Sequence, residues 1–220
     1  SIITHRSYDL LDIIYEFLDI SKIEAGQVSI HHEPIDLNSL FKEFGMIFEE
    51  QKKRYHKDKI AFRISAEYGI NGSNITIDAG KLKQIFINLL SNALKFTEKG
   101  NIELGCKSDT NGKLIFFVSD SGIGIPKEQQ EIIFDRFAQI YGEISKSFSG
   151  TGLGLAIVKA LIQLLDGKIW LDSEINKGTT FYFTIPYHLQ VPINDQKSIL
   201  TETKIVNPNR GSILIVEDDV

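Results

Sequence analysis

Apolar side chains recur every three or four residues over long stretches of the chain, which is the spacing of one helix face. This spacing predicts helices over residues 1–24 and Lys81–Phe96. Segments from Asp36 to about Tyr55, around Glu128–Phe134 and over Leu153–Leu165 are also predicted to be helical. The first helix has a broad apolar stripe, so we expect it either to pack on its own domain or to need partner helices, as in a bundle.

Shorter apolar or alternating runs between the helices predict strands. They cover Val28–His32, Ile60–Ser65, Asn74–Ile77, Ile102–Lys107, Leu114–Val118, Lys168–Ser173, Thr179–Ile185 and Ser212–Val216. The turn sequences Asn111-Gly112 and Asn176-Lys177-Gly178 predict two hairpins. Because strands and helices are mixed without regular β-α-β alternation, the order favours an α+β fold, an α/β sandwich with helices on one face of the sheet.

Composition excludes several classes of protein. The 220 residues suffice for one or two domains with a proper core. Lys and Arg total 24 and Asp and Glu total 29, a net charge of −5, which argues against a nucleic-acid partner. The single cysteine, Cys106, excludes an internal disulfide and a cysteine-based zinc site. No apolar run approaches the ~20 residues of a membrane span. Because the chain begins at Ser1 and its only methionine is Met46, we expect a piece of a longer protein.

The predicted helix Lys81–Phe96 carries an unusual polar stripe, made by Gln84, Asn88, Asn92 and Lys95. Asparagine is a poor helix former, costing up to ~0.7 kcal/mol relative to alanine, and solvated helix faces usually carry Glu and Lys instead. Two amides and an ammonium on one line offer oxygen ligands for a hard cation and donors for phosphate. A merely polar helix face is an equal alternative for this stripe taken alone.

Two glycine-containing loops are the other candidate sites. Asp120 ends a predicted strand, and Gly122 and Gly124 follow it, so the backbone there is able to pass close to a ligand while the carboxylate accepts from an exocyclic amine such as adenine N6. In isolation, a plain Asx turn is the better interpretation. The loop 150–155 opens a predicted helix and suggests phosphate binding. It lacks the preceding strand of a Rossmann fingerprint and the Gly-Lys-Ser/Thr of a P-loop.

Taken together and in order, these motifs resemble the catalytic ATP-binding domain of sensor histidine kinases. The matching segments are Gln84–Thr97, DSGIGIP at 120–126, IFDRF at 133–137, GTGLGL at 150–155 and GTTF at 178–181. FLDISKIEAGQ at 17–27 resembles the second helix of the family's dimerisation and phosphotransfer hairpin, and SILIVEDD at 212–219 resembles the start of a receiver domain. The resemblance implies a hybrid kinase with hairpin helix 1–26, catalytic domain 27–187, linker 188–211 and receiver start 212–220.

The resemblance implies a Bergerat-type sandwich with a mixed sheet, shared with gyrase-type, Hsp90 and MutL ATPases, and it implies ATP and Mg²⁺ as cofactors. Asn92 matches the Mg²⁺ ligand, Asn88 helps organise metal and phosphates, and Lys95 contacts phosphate, so that Asn88 and Lys95 are the catalytic candidates. Asp120 matches the adenine acceptor. The remaining residues assigned to ATP are Gly122, Gly124 and Ile125 by the ring, Thr180 in the adenine-side water network, Gly150, Thr151, Gly152, Leu153, Gly154 and Leu155 at the phosphates, Phe134, Arg136 and Phe137 before the mobile lid 138–149, and Lys146 within that lid.

Two departures from the family pattern bear on activity. None of the five histidines (His5, His31, His32, His56 and His188) lies in the phosphoacceptor motif, so the resemblance implies that the acceptor histidine lies on a hairpin helix missing from this chain. In the lid, Lys146-Ser147-Phe148-Ser149 stands where hybrid kinases often carry Arg-Lys-Phe-Gly, which retains one cation. This chain alone is therefore expected to bind ATP without phosphorylating itself.

The sequence thus favours a histidine kinase catalytic core that passes the γ-phosphate of ATP to a hairpin histidine, its own or a neighbour's, for relay to a receiver domain in cis or to a response regulator. The resemblance also implies a homodimer and a cytoplasmic position in a membrane-anchored sensor. Two alternatives stay open. One is a catalytically silent ATP-sensing module. The other is a different ATPase of the same superfamily, which the amide at Asn88 disfavours because an amide cannot act as a general base.

Overall fold

The computed structural model describes residues 14, 16–23, 25–67, 74–108, 114–138 and 151–189. Helical residues 16–23 form α1. The other elements follow in the order β1 (Glu33–Asp36), α2 (Leu37–Arg54), β2 (Ile60–Glu67), β3 (Asn74–Ile77), α3 (Ala79–Phe96), β4 (Gly100–Ser108), β5 (Leu114–Asp120), α4 (Gly154–Leu164), β6 (Lys168–Glu174), β7 (Gly178–Thr184) and β8 (His188–Leu189). Most of the predicted helices and strands that fall in the described residues are therefore present.

Two predicted elements were wrong in kind. Residues 28–32 form no strand, and the first strand is Glu33–Asp36. Polar contacts to the start of α3 hold this segment instead of a ladder, since the His31 N–H donates to Asp78 Oδ2 at 2.9 Å and Lys81 Nζ donates to the Ser29 carbonyl at 2.7 Å. Around Glu128–Phe134 the chain forms two short 3₁₀ helices, Lys127–Gln129 and Ile132–Phe134, because tertiary hydrogen bonds from Gln130 interrupt the helix.

The main sheet has five strands in the order β2-β4-β5-β7-β6. β2 and β4 run parallel, and the other neighbours are antiparallel. A second, three-stranded sheet pairs β3 with β1 and β8. The mixed sheet expected from the sequence is confirmed. The linker predicted over 188–211 is wrong at its start, because His188–Leu189 form β8 and pair with β3 through Thr76 and Ile75. The rest of that linker, the predicted turn at 111–112 and the strand at 212–216 lie outside the described residues.

The core lies between one face of the main sheet and the helices. Phe86 of α3 is its centre, with ring centroids 4.9 Å from Phe44 of α2, 5.8 Å from Phe116 of β5 and 5.2 Å from Phe183 of β7. All four rings are buried. The other sheet face carries half-exposed side chains such as Trp170, so the predicted placement of the helices on one face is confirmed.

The chain divides into two compact units, residues 1–190 and 191–220. α1 and the two sheets belong to the first unit, and the second lies outside the described residues. Within the part of the chain that the structure describes, no helix is both long and apolar enough to cross a membrane.

Candidate functional site

The start of α3 is fixed by Asp78, the residue before the helix. Its Oδ1 accepts from the Lys81 N–H at 2.9 Å, and its Oδ2 accepts from Lys81 Nζ at 2.8 Å. Burial alone raises the pKa of Asp78, but the hydrogen bonds from His31 and Lys81 outweigh this and lower the pKa below its ordinary value. A charged cap at this position stabilises the helix N-terminus and sets the register of every side chain that follows.

The polar stripe of α3 faces the beginning of α4. Asn88, Asn92 and Lys95 are half-buried, which excludes an ordinary solvated helix face. A Cβ atom on Gly154, the first residue of α4, would lie 3.9 Å from Asn88 Oδ1 and 4.0 Å from Asn92 Nδ2. The two separate sequence motifs, one on α3 and one at the glycine loop, therefore meet at one place.

The second glycine loop is the loop 150–155, and its described part, residues 151–155, is shaped by local contacts. The Leu153 N–H donates to Thr151 Oγ1 at 3.0 Å. Gly152 has φ +73°, and a Cβ there would lie 2.8 Å from the Phe137 Cα, so this position requires glycine. The first N–H groups of a helix have no partner within the helix and attract anions. The loop thus brings the N-terminus of α4 beside Asn88 and Asn92.

Asp120, the last residue of β5, lies at the edge of the site. Its Oδ1 accepts from the Gly122 N–H at 2.8 Å. Burial raises the pKa of Asp120 to about 6, although hydrogen bonds from the N–H groups of Gly122 and Thr179 partly offset this rise. A carboxylate that loses its proton only near pH 6 is a strong hydrogen-bond acceptor at neutral pH in a partly desolvated position.

The glycines after Asp120 are required by packing. A Cβ on Gly122 would lie 2.5 Å from the Phe96 carbonyl oxygen, and a Cβ on Gly124, where φ is +71°, would lie 2.1 Å from the Glu174 carbonyl oxygen. Both positions therefore let the loop pass between the end of α3 and the turn after β6. The approach of a purine ring to this loop stays a prediction.

Thr180 does not lie on the side of the sheet expected for an adenine contact. Asp120 pairs with Thr179, and Ser119 pairs with Thr180. Alternation puts Asp120 and the buried Thr179 on the core face, whereas Thr180 faces outward and hydrogen-bonds to Ser119 Oγ at 2.8 Å. Thr179 therefore takes the place beside Asp120 that the sequence motif suggested for Thr180.

Three supporting residues were missed by sequence reasoning. Ser173 Oγ accepts from the Ile125 N–H at 2.8 Å and lies 2.9 Å from Thr179 Oγ1. Gln130 Nε2 donates to the carbonyls of Ile125 and Ser173, both at 3.0 Å. These hydrogen bonds tie the first glycine loop, residues 121–126, to β6 and β7. Thr179 is the third: the sequence prediction named Thr180, although the alternation of GTTF with Phe181 on the core face was a signal that could have indicated Thr179. Nothing in the sequence pairs Gln130 or Ser173 with the loop.

The segment expected to anchor the lid is only partly packed. Phe134 is half-buried, 6.2 Å from the Phe181 ring centroid and 5.9 Å from Lys159 Nζ. Arg136 and Phe137 are exposed, and Phe137 adopts φ +59° with its N–H donating to the Gly152 carbonyl at 3.0 Å. Lys146 and Gly150 lie outside the described residues, as do residues 139–149 of the predicted lid.

Two acids of α1 reach the same site, which the sequence did not indicate. Asp19 Oδ2 accepts from Gln84 Nε2 at 2.9 Å, and Glu16 Oε2 accepts from Thr151 Oγ1. Burial lowers the pKa of Lys95, and the charge of Glu16 partly counteracts that effect. α1 therefore contacts both the polar stripe of α3 and the second glycine loop.

The domain is a mixed sheet with helices on one face. It combines an acid at the end of a strand, a polar stripe on α3 and a glycine loop that opens α4, and this combination is typical of nucleotide-binding α/β domains. A family model described as "Histidine kinase-, DNA gyrase B-, and HSP90-like ATPase" matches residues 77–189, more than half of the chain. The chain belongs to this family.

Three known proteins illustrate the similarity. Hybrid signal transduction histidine kinase L of Dictyostelium discoideum is 36% identical over 201 residues, which is 89% of this chain and 12% of that protein. The crystal structure of full-length ShkA in complex with AMPPNP superimposes with a TM-score of 0.72 at 28% identity, covering 84% of this chain and 37% of that one. Histidine kinase ThkA in complex with response regulator protein TrrA superimposes with a TM-score of 0.63 at 28% identity, covering 84% and 49%. The chain spans from 12% to 27% of the length of the first curated relatives it matches.

Proposed function

We propose that this chain is the ATP-binding catalytic core of a hybrid sensor histidine kinase. The observation that carries the proposal is the meeting of three motifs in one domain of this family. Asn88 and Asn92 lie within about 4 Å of the Cβ position of Gly154, and Asp120 ends β5 just before the loop whose Gly122 packs against the end of α3 at Phe96. The relative named a hybrid histidine kinase and the similar structure solved with AMPPNP support this assignment.

The nucleotide is proposed to bind with its purine at Asp120 and its phosphates at the start of α4. The carboxylate of Asp120 accepts from the adenine amine, and Thr179, which hydrogen-bonds to Ser173, supports that end of the site. The phosphates lie against the N–H groups of Gly152, Gly154 and Leu155, the hydroxyl of Thr151 and the ammonium of Lys95, whereas the Leu153 N–H donates to Thr151 Oγ1. A helix N-terminus and a desolvated cation suit a triphosphate.

Mg²⁺ is proposed to be held chiefly by the nucleotide, with Asn92 as its protein ligand. Among the described residues no group of three or more His, Cys, Asp or Glu is placed to hold a metal. This fits Mg²⁺, which keeps several waters and binds through one or two protein groups and substrate phosphates. When bound, the ion neutralises charge on the phosphates.

The metal assignment predicts the behaviour of Asn92→Ala. We expect the variant to lose more AMPPNP affinity in the presence of Mg²⁺ than in EDTA, because only the metal-bound complex uses the amide oxygen. Isothermal calorimetry under both conditions measures the two losses. Gln84→Ala, one turn before Asn88 on the same stripe, is the control: it removes an amide that donates to Asp19, so any change in its affinity should be the same in Mg²⁺ and in EDTA. Equal losses for Asn92→Ala in both conditions reject the assignment.

The proposed reaction is transfer of the γ-phosphoryl group to a nitrogen of a histidine on a hairpin helix. The bond between the γ-phosphorus and the β–γ bridging oxygen breaks, a phosphorus–nitrogen bond forms, and ADP leaves. Asn88 and Lys95 act by positioning the phosphates and balancing their charge, which is the larger part of phosphoryl-transfer catalysis. Because the amide of Asn88 accepts no proton, activation of water for hydrolysis is disfavoured.

The phosphoryl group is proposed to pass on to an aspartate of a receiver domain, in cis or on a separate response regulator. The structure of ThkA with a response regulator supports such a partner. The residues 212–219 that resemble a receiver start lie outside the described residues. In the complete protein, a homodimer formed through the hairpin would supply the acceptor histidine.

The decisive experiment combines this chain with ATP, Mg²⁺ and a separately expressed hairpin fragment that carries a phosphoacceptor histidine. We expect acid-labile phosphohistidine on the fragment and none on this chain, with Asp120→Asn reducing the rate. Tight ATP binding without transfer would identify a silent sensing module. Release of inorganic phosphate without the fragment would identify a hydrolytic ATPase.

A further inference from the structure

We propose that Glu16 of α1 competes with the phosphates of ATP for Thr151 and Lys95, so that docking of α1 and binding of ATP each weaken the other. The inference rests on the proposed function, because it concerns the same phosphate contacts. It adds a regulatory contact between the hairpin helix and the nucleotide site, and it assigns the contact to one carboxylate.

The hydrogen bond to Thr151 carries the argument. Glu16 Oε2 accepts from Thr151 Oγ1, in the loop proposed to hold the phosphates. A hydroxyl has a single proton to donate, so Thr151 is able to serve Glu16 or a phosphate oxygen but not both at once. Thr151 Oγ1 already accepts from the Leu153 N–H, which fixes its orientation toward α1.

The charge of Glu16 also acts on a second phosphate-binding group. Lys95 is half-buried on the α3 stripe, and Glu16 is the charged group that acts to raise its pKa against the effect of burial. A carboxylate that accepts from a hydroxyl and attracts a nearby ammonium has the negative charge and the acceptor chemistry of a phosphate. An ATP phosphate entering this position would meet like-charge repulsion from Glu16.

The Glu16 contact is one of several by which α1 packs on the domain. Ile20, one turn after Glu16, is 3% exposed, and together with Phe134, Ala156 and Lys159 it lines a pocket of about 210 Å³. Asp19 adds the hydrogen bond to Gln84. In contrast, Leu18 is 44% exposed on the opposite face of the helix.

The competition has a reciprocal consequence. If docking of α1 lowers the affinity for ATP by some factor, ATP lowers the stability of docking by the same factor. Only the fraction of molecules with α1 released binds nucleotide at full affinity, so the apparent dissociation constant rises with the docked fraction. ATP therefore releases the hairpin helix from the nucleotide site.

The test is calorimetric titration of the 220-residue chain with AMPPNP and Mg²⁺. We expect Glu16→Ala to bind about threefold to tenfold more tightly, and Glu16→Gln, which keeps an acceptor but loses the charge, to fall between it and the unaltered chain. Glu50→Gln removes one negative charge from an exposed position of α2 and is expected to leave the affinity unchanged.

A second readout reports on the helix itself. In the unaltered chain, amide hydrogen exchange over residues 16–23 is expected to rise when AMPPNP and Mg²⁺ are added. In Glu16→Ala it is expected to be raised already without nucleotide. Asp19→Ala, which weakens docking without touching Thr151 or Lys95, is expected to raise the same exchange and to tighten binding by a smaller factor.

Unchanged or weaker AMPPNP binding by Glu16→Ala would overturn the inference, as would exchange over residues 16–23 that does not respond to nucleotide. Either result leaves the proposed function standing, provided that the unaltered chain binds AMPPNP. If neither chain binds AMPPNP at millimolar concentration, the proposed function fails first and the inference fails with it.

Discussion

Asp120 shows how much of the proposed chemistry depends on the surroundings of one residue. It ends β5 with one oxygen accepting from Gly122 at 2.8 Å, and burial raises its pKa to about 6. On a solvated loop, the same hydrogen bond from Gly122 to Asp120 would be an ordinary Asx turn with no further role. Its environment makes it a directed acceptor, because a charged acceptor with few waters around it binds an amine more strongly.

At this scale the first prediction is that Asp120→Asn lowers AMPPNP affinity at least tenfold at pH 7.5. The change keeps the shape of the side chain but removes one charge-assisted hydrogen bond, which contributes about 1.5–3 kcal/mol. Calorimetry measures the loss, with Asp58→Asn at an exposed position as the matched control. Equal affinity of Asp120→Asn and the unaltered chain would contradict the placement of the purine.

The raised pKa of Asp120 also predicts how stability depends on pH. Its ordinary pKa of 3.8 applies in the unfolded chain, and burial raises it to about 6 in the folded protein. Between these values the folded state binds more protons, so this group stabilises the fold fully below about pH 4 and the contribution is lost as the pH rises through about 6. The unfolding free energy should fall by about 1–3 kcal/mol over this window relative to Asp120→Asn.

Urea denaturation of both proteins at pH 4, 5, 6 and 7 measures this difference. It should grow in favour of Asp120→Asn as the pH rises and then level off above about pH 7. A constant difference across the series would show that the environment of Asp120 does not alter its titration.

At the scale of elements, the loop after β5 depends on close backbone approaches. Gly124 has φ +71°, and a Cβ there would lie 2.1 Å from the Glu174 carbonyl oxygen. Ser173 and Gln130 hold the same loop through hydrogen bonds. The acid of β5, the end of α3 and the turn between β6 and β7 are thus joined by one segment, which explains why the glycines are spaced as they are.

Gly124→Ala is expected to lower the unfolding free energy by about 2–4 kcal/mol, because backbone strain and a backbone clash act together. Gly26→Ala is the matched control, since Gly26 has nearly the same φ, +65°, but nothing within 4 Å of its Cβ position. It should cost only about 1 kcal/mol. Chemical denaturation compares them, and similar losses for the two variants would refute the importance of the close approach.

At the scale of the whole molecule, Phe86 joins the layers that carry the site. Its ring contacts the rings of Phe41 and Phe44 on α2 and of Phe116 and Phe183 in the sheet. α3 therefore presents its polar stripe from a rigid support. A change that loosens this cluster moves Asn88 and Asn92 relative to Asp120.

Phe86→Ala should destabilise the fold by about 3–5 kcal/mol, because it removes a large ring from a fully packed core. Ile175→Ala, at a side chain 54% exposed, should change the unfolding free energy by less than about 0.5 kcal/mol. Urea titration followed by circular dichroism measures both. A small effect at Phe86 would mean that the helices and the sheet do not form one core.

Sequence patterns predicted most of the fold because each element has its own local signal. The spacing of apolar residues in α3 and the alternation in β5 and β7 depend only on nearest neighbours along the chain. The failures have a common cause. Residues 28–32 are held by Asp78 and Lys81, and Gln130 is held by carbonyls 5 and 43 positions away, so their conformations depend on partners that no local pattern reveals.

By itself the sequence determined the one-sided α/β sandwich and the residue types of the site, because apolar periodicity and the choice of Asn, Asp and Gly act locally. Only the tertiary structure decided that Thr179, not Thr180, shares a face with Asp120, that Gly154 meets Asn88 and Asn92, and that Glu16 reaches Thr151. Strand register and helix docking join residues far apart in the chain, and that is physical information which spacing along a sequence does not contain.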